Sequence, residues 1–218
     1  MGKTGSICAI IQSRLGSSRL PGKSMMDVCG KPLLERVIDR VKTVVDVIVA
    51  TPDTEIAGFC TRIGVDSFIG SEEDVLDRYY RAATQVGCSH IVRLTADNPL
   101  IDPEIISKVV DYYMENDFDY VTNSRTKATY PIGQDVEIFS RDALAMAYLW
   151  ADSDYDKEHV TPYMYKHPEL FYIGTVENDE DLSDRRMTVD YPEDLEYVRD
   201  VYSKLNGNFS MEDILEVI

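Results

Sequence analysis

Residues 11–24 read Ile11-Gln-Ser-Arg-Leu-Gly-Ser-Ser-Arg-Leu-Pro-Gly-Lys-Ser and put three cations, Arg14, Arg19 and Lys23, within ten positions. Gly16 and Gly22 let backbone N–H groups come close to an anion, while Ser13, Ser17 and Ser18 add further donors. The cations supply charge-assisted hydrogen bonds, and an anion among them relieves their mutual repulsion. This is chemistry suited to phosphate. The spacing is not the GxxxxGK[ST] of ATPases, because five residues rather than four separate Gly16 from Gly22-Lys23-Ser24, and GxGxxG does not occur. The plain alternative is a solvated loop with incidental arginines; the local charge and the strand–loop–helix setting weigh against it.

Two carboxylates form the second candidate set. Asp97 lies in Leu94-Thr-Ala-Asp-Asn-Pro and Asp190 in Thr188-Val-Asp-Tyr-Pro, each where an apolar run ends. Both are therefore expected at strand ends, facing one crevice, where open α/β sheets bind ligands. Each also precedes a proline-containing helix start, so a helix N-cap is the competing role for either one.

The elements that must position these groups follow from apolar periodicity. Short apolar runs at Ile7–Gln12, Val47–Ala50, Asp66–Ile69 and His90–Thr95 alternate with helical patterns near 32–44, 54–63, 73–86 and 103–114. That alternation predicts an α/β fold with a parallel sheet. Tyr120–Thr122, Val136–Phe139, Phe171–Val176 and Met187–Val189 are further strand candidates. Helices are expected near 141–150, 158–166, 193–205 and 211–217, the second interrupted by Pro162. One domain over 1–218, elaborated at about 125–180, is the expected organisation.

Composition narrows the function. The chain carries 39 acids against 22 bases, a net charge of −17. That excess disfavours nucleic acid and an anionic membrane as partners. The charge is uneven: residues 1–42 hold eight bases and three acids, a local +5, leaving −22 for the rest. The basic block coincides with the proposed phosphate loop. Cys8, Cys29, Cys60 and Cys88 form no CxxC pair and have no zinc-like histidine spacing, so reduced, buried or partly buried thiols are expected. The opening apolar run, Ile7–Ile11, is too short for a signal peptide, and no stretch approaches the ~18 apolar residues of a membrane span. A cytoplasmic protein is expected.

The segment Arg14–Lys23 with Arg19-Leu-Pro-Gly-Lys, followed by Gly30-Lys-Pro-Leu, resembles the N-terminal signature of the sugar cytidylyltransferases. That family includes the CMP-Kdo and CMP-sialic acid synthetases and their spore-coat-polysaccharide, SpsF-like relatives, whose pattern is the nearest. Arg93-Leu-Thr-Ala-Asp-Asn-Pro-Leu-Ile-Asp, Gly133-Gln-Asp-Val-Glu-Ile-Phe-Ser, Glu158-His-Val-Thr-Pro-Tyr and Met187-Thr-Val-Asp-Tyr-Pro-Glu-Asp-Leu extend the likeness in order over nearly the whole chain. Single blocks are weak; the ordered set is specific. Gln134 departs from it, standing where the spore-coat branch commonly has Leu.

The resemblance implies a Rossmann-like, GT-A-like nucleotidyltransferase domain of three layers, with a mostly parallel central sheet and an inserted dimerisation and acceptor element. It implies transfer of CMP from CTP to a sugar or sugar-like acceptor with release of pyrophosphate, for surface polysaccharide or glycoconjugate synthesis. Magnesium is the implied cofactor, held by Asp97 and Asp190, since this ion is content with a few carboxylates plus waters and substrate oxygens. Arg14 and Lys23 join the two aspartates as implied catalytic residues. Gln12, Ser13, Arg14, Gly16, Arg19, Gly22 and Lys23 belong to the implied nucleotide site, together with Thr51, Asp53 and Thr95. Gln134, Asp135, Glu137, Glu158 and His159 are the acceptor-side candidates, with Asp135 and Glu137 expected on one face of a strand. His159 has a structural role as its competing assignment. The acidic middle region suits a neutral or amino-bearing acceptor better than a sugar acid. A homodimer through the 125–180 element is the implied assembly. A GT-A-like glycosyltransferase and a non-catalytic nucleotide-binding subunit are the competing functions. The former usually needs an Asp-x-Asp motif, for which only Asp117-Phe-Asp119 and Asp152-Ser-Asp154 offer themselves.

Overall fold

A computed structural model describes residues 3–125, 127–205 and 209–217. The first half alternates strand and helix as expected. β1 (Ile7–Gln12) leads through a loop and a 3-10 turn (Lys23–Met25) to a small hairpin, β2 (Asp27–Val28) and β3 (Lys31–Pro32). Then follow α1 (Leu33–Val41), β4 (Asp46–Thr51), α2 (Thr54–Arg62), β5 (Asp66–Ile69), α3 (Val75–Val86), β6 (His90–Thr95) and α4 (Pro103–Glu115). The second half holds β7 (Tyr120–Thr122), β8 (Glu137–Ser140), α5 (Arg141–Trp150), α6 (Asp154–His159) and α7 (Pro162–Lys166). It closes with β9 (Ile173–Thr175), α8 (Pro192–Lys204) and α9 (Met211–Val217).

The seven-stranded sheet runs β5-β4-β1-β6-β8-β7-β9. β8 pairs antiparallel with both neighbours; the other described pairings in this sheet are parallel. Alternation along β1 shows why there are three layers. Ala9 and Ile11 join one apolar cluster with Val37 and Ile38 of α1, Ile106 of α4 and Val198 of α8. Cys8 and Ile10 join the opposite cluster with Leu76 and Tyr79 of α3 and Leu144 of α5. A strand buried on both faces loses its polar alternation and becomes the continuous apolar run seen in the sequence. The fold class agrees with the expectation.

Three details differ from it. Met187–Val189 is extended but is no strand: its backbone bonds go to two loops, Met187 N–H to the Ile132 carbonyl (2.7 Å) and Val189 N–H to that of Asp97 (2.8 Å). The expected helix near 158–166 is two helices with a tight turn between them. Cys8 and Cys88 are disulfide-bonded rather than separate thiols; 80 residues apart in sequence, they meet because β1 lies beside β6. Cys60 is a buried free thiol, which burial pushes up to about 11, and Cys29 is exposed. Among the described residues no helix is long and apolar enough to cross a membrane.

Candidate active site

The loop after β1 is shaped by its own backbone and by one carboxylate. Ser13 N–H donates to the Ala50 carbonyl (3.1 Å), keeping the chain beside β4 for one more residue. Gly22 N–H returns to the Leu15 carbonyl (2.9 Å), and Gly22 takes φ 72°, a left-handed value that suits glycine. Asp53 Oδ2 accepts from Leu15 N–H (2.8 Å), while Thr51 Oγ1 accepts from Asp53 N–H (3.1 Å). Thr51 is fully buried. These two residues, expected at the nucleotide, brace the loop from below and do not line the cavity it encloses.

That cavity, about 290 Å³, lies at the carboxyl ends of β1 and β6. The loop contributes Ser13, Arg14, Ser17, Ser18, Arg19, Lys23 and Ser24, and the strand ends contribute Gln12, Thr95 and Asp97. Asp190 enters from the extended segment before α8, and Glu158 and His159 from the end of α6. The structure therefore brings most of the expected nucleotide residues together with both expected aspartates. Gly16 and Gly22 shape the loop without lining the cavity.

The charge arrangement at its base is specific. Lys23 Nζ donates to Asp97 Oδ2 (3.0 Å), Asp190 Oδ1 (3.1 Å) and the Val189 carbonyl (2.6 Å). Arg19 and Arg186 reach the other Asp190 oxygen, at 3.1 and 2.7 Å. Burial pushes the Asp190 carboxyl up, but its hydrogen bonds to Arg186 and Lys23 outweigh this and hold it below the usual carboxylate range. The two aspartates are tied together behind this point, because the Asp97 carbonyl accepts from both Val189 N–H and Thr188 Oγ1. Neither caps a helix. Asp102 caps α4, and at α8 the carboxylate of Asp194 accepts from Asp190 N–H (2.8 Å) and Tyr191 N–H (2.9 Å). Among the described residues no group of three or more metal-ligating side chains occurs. Three oxygens nevertheless converge on one cation, the Lys23 ammonium.

The acceptor-side candidates separate. Glu158 and His159 line the cavity. Partial burial comes first, then the charges of Arg93, Arg125 and Lys166, in holding the His159 imidazole below its ordinary value despite Glu158. Gln134 is fully buried away from the cavity: its amide accepts from Asp102 N–H (2.8 Å) and donates to the Leu100 carbonyl (2.8 Å). Glu137 is also buried, bound by Arg93, Tyr120 and Thr161. Asp135 precedes β8, so it and Glu137 do not share a strand face; its carboxylate accepts from Gly133 N–H (3.1 Å). This stretch forms a turn because Gly133, at φ 105°, presses against the backbone of Met187 and Thr188, where a Cβ would lie 2.7 Å from the Met187 carbonyl carbon. Asp117, Asp119, Asp152 and Asp154 do not line the cavity.

Three contributors were missed in the sequence. Arg78 lines the cavity from α3 and is buried; burial, then nearby Arg14, lowers its pKa. Its signal was an arginine on the apolar helix face between Val75 and Tyr79. Arg93 and Asp194 sit inside motif blocks, but their partners lie far away or on the next turn.

A family model described as "Cytidylyltransferase" matches residues 8–213. An uncharacterized protein of Methanocaldococcus jannaschii is 38% identical over 97% of this chain and 88% of its own length. The spore coat polysaccharide biosynthesis protein SpsF of Bacillus subtilis is 33% identical over 91% of this chain and 87% of its own. A solved cytidylyltransferase from Leptospira borgpetersenii superposes with a TM-score of 0.92 at 33% identity, covering 98% of this chain and 93% of that one.

Proposed function

Because the chain belongs to the cytidylyltransferase family, we propose that this nucleotidyltransferase moves CMP from CTP onto a hydroxyl of a sugar or sugar-like acceptor, releasing pyrophosphate. The observation that carries this reading is the Lys23 ammonium held between Asp97 and Asp190 at the base of a cation-rich loop. The acceptor oxygen bonds the α-phosphorus as the α-phosphorus bond to the α–β bridging oxygen breaks, the pyrophosphate leaves with that oxygen, and the hydroxyl proton passes to solvent. Arg14, Arg19 and Lys23 receive the charge that grows on the leaving pyrophosphate, fixed donors being most effective where charge develops. Gln12, Ser13 and Arg78 also line the cavity and would orient base and ribose.

Asp97 and Asp190, with the Val189 carbonyl, would hold magnesium, and the fit is supported by hard oxygens that already surround an ammonium group. When bound, that ion offsets charge on the triphosphate and the pyrophosphate. A second cleft of about 670 Å³ adjoins at Arg14 and Glu158 and is lined also by Glu72, Glu73, Asp74, Asp154 and Lys157. Its acidic balance favours a neutral or amino-bearing acceptor over a sugar acid. Kinship with SpsF supports a place in surface polysaccharide or glycoconjugate synthesis. Pairing of two copies through the 125–180 element belongs to the same reading; Leu149, Trp150 and Tyr172 support it by remaining 72, 57 and 63% exposed. Light scattering tests that point.

The function is tested by pyrophosphate release from CTP, UTP, GTP or ATP with magnesium across a panel of sugar acceptors. Release that requires both CTP and an acceptor is expected. No release with any pair despite nucleotide binding, or transfer of sugar from a nucleotide sugar, overturns the reading.

A further inference from the structure

Behind the cavity lies an ion pair that the reaction does not touch. Arg93 of β6 and Glu137 of β8 face each other in register across an antiparallel pairing and are 6 and 2% exposed. Burial works against both charges, yet Arg93 and Arg125 keep the Glu137 carboxylate ionised. A buried ion pair is weak evidence for stability, since apolar residues of similar volume often serve as well. Its other contacts give it a different meaning.

Arg93 Nη2 donates to Gln12 Oε1 (3.2 Å), and Gln12 lines the cavity. Glu137 Oε1 accepts from Thr161 Oγ1 (2.7 Å). Thr161 closes a three-residue turn, its N–H returning to the His159 carbonyl (2.8 Å) across Val160 at φ 70°, ψ −57°. This is the rare γ-turn geometry, and a β-branched residue there is a strained outlier. Val160 is fully buried, so the strain is held in place by its surroundings. Glu158 and His159, immediately before the turn, line the same cavity from the end of α6.

We propose that Glu137 is a positioning residue that fixes two parts of the cavity lining at once, holding Gln12 through Arg93 and the Glu158–His159 pair through Thr161. The identity of what the cavity holds rests on the cytidylyltransferase reading; the positioning does not. Strain is retained at the turn because it sets where His159 stands relative to the loop, which a relaxed turn would not do.

Thr161→Val and Thr161→Ser test this with the full chain, using His159 titration by NMR and CTP binding by calorimetry. The chain has three histidines, so a His159→Gln spectrum assigns the signal. Thr161→Val removes only the bond to Glu137: His159 should titrate higher, towards the ordinary histidine range, while CTP affinity stays within about twofold. Thr161→Ser should restore the wild-type titration. Glu137→Gln should move His159 and also weaken CTP binding by about tenfold, because Arg93 loses its counter-charge and Gln12 its anchor. If Glu137→Gln does not fold, the Thr161 pair decides alone. An unchanged His159 titration in Thr161→Val, or a serine variant that behaves like the valine one, overturns the proposal. A wild-type chain that binds no CTP, yet shows the valine–serine difference at His159, removes the nucleotide reading and leaves the positioning role standing.

Discussion

Replacing Lys23 with methionine removes one ammonium group that touches both aspartates, and the consequences for two ligands have opposite sign. The Lys23 side chain is only 12% exposed, against 30% for Asp97 and 23% for Asp190, so solvent screens these contacts incompletely. In the proposed reaction Lys23 would exchange carboxylate partners for phosphate partners when a triphosphate binds. The net loss in the variant is therefore about one charge-assisted hydrogen bond, roughly 1.5–3 kcal/mol, rather than the sum of three. The surrendered contacts favour the lower end, a CTP affinity weaker by about 10- to 30-fold. For a divalent cation the change runs the other way. Asp97 and Asp190 lose the positive charge between them, and the nucleotide-free variant should bind Mn²⁺ more tightly than the wild type. Calorimetry with CTP and electron paramagnetic resonance of free Mn²⁺ measure the two effects. CTP affinity unchanged within about twofold, or Mn²⁺ bound no better without Lys23, would rule out this role for Lys23.

Asp97→Asn and Asp190→Asn should each lower magnesium-dependent turnover by about 10²-fold or more while circular dichroism shows the fold intact; near-normal turnover in both would sink the metal assignment. Gly133→Ala forces a Cβ to within 2.8 Å of Thr188 N at φ 105°, so its urea midpoint should fall by the equivalent of about 1–3 kcal/mol, and an unchanged midpoint would contradict the close approach. Acid should destabilise the fold in a defined direction. Asp190, Asp194 and Glu137 are all held below their ordinary values, so the unfolded chain takes up protons first as pH falls. Their contribution is complete above the ordinary carboxylate range near pH ~4 and is lost below it, which urea midpoints from about pH 6 to about pH 3 would reveal; a flat profile would count against it.

How much of this was legible in the sequence depended on what the core consumed. The central strands β1, β4 and β6 were readable because burial on both faces turns them into apolar runs. Hairpin β2–β3 and the extended Met187–Val189 were not distinguishable by periodicity, since two or three residues contain too little of it. Asp97 and Asp190 could be marked as strand-end carboxylates, but Lys23, 74 and 167 residues away, could not be seen as their shared partner. Polar residues in a motif gave no sign of which way they point. Gln134 and Glu137 looked like ligands and are used inside the fold, whereas Arg78 looked like a helix residue and lines the cavity. The cysteine pairing was hidden because the two residues become neighbours only through β1–β6 pairing.

The proposed reaction is attack at the α-phosphorus of CTP. Phosphorus NMR of a reaction containing CTP, magnesium and the acceptor panel tests it most directly, because each bond cleavage leaves a different set of resonances. Pyrophosphate appearing in step with a CMP phosphodiester of the acceptor is the predicted result. CDP with inorganic phosphate, or unchanged CTP beside every acceptor, would contradict it.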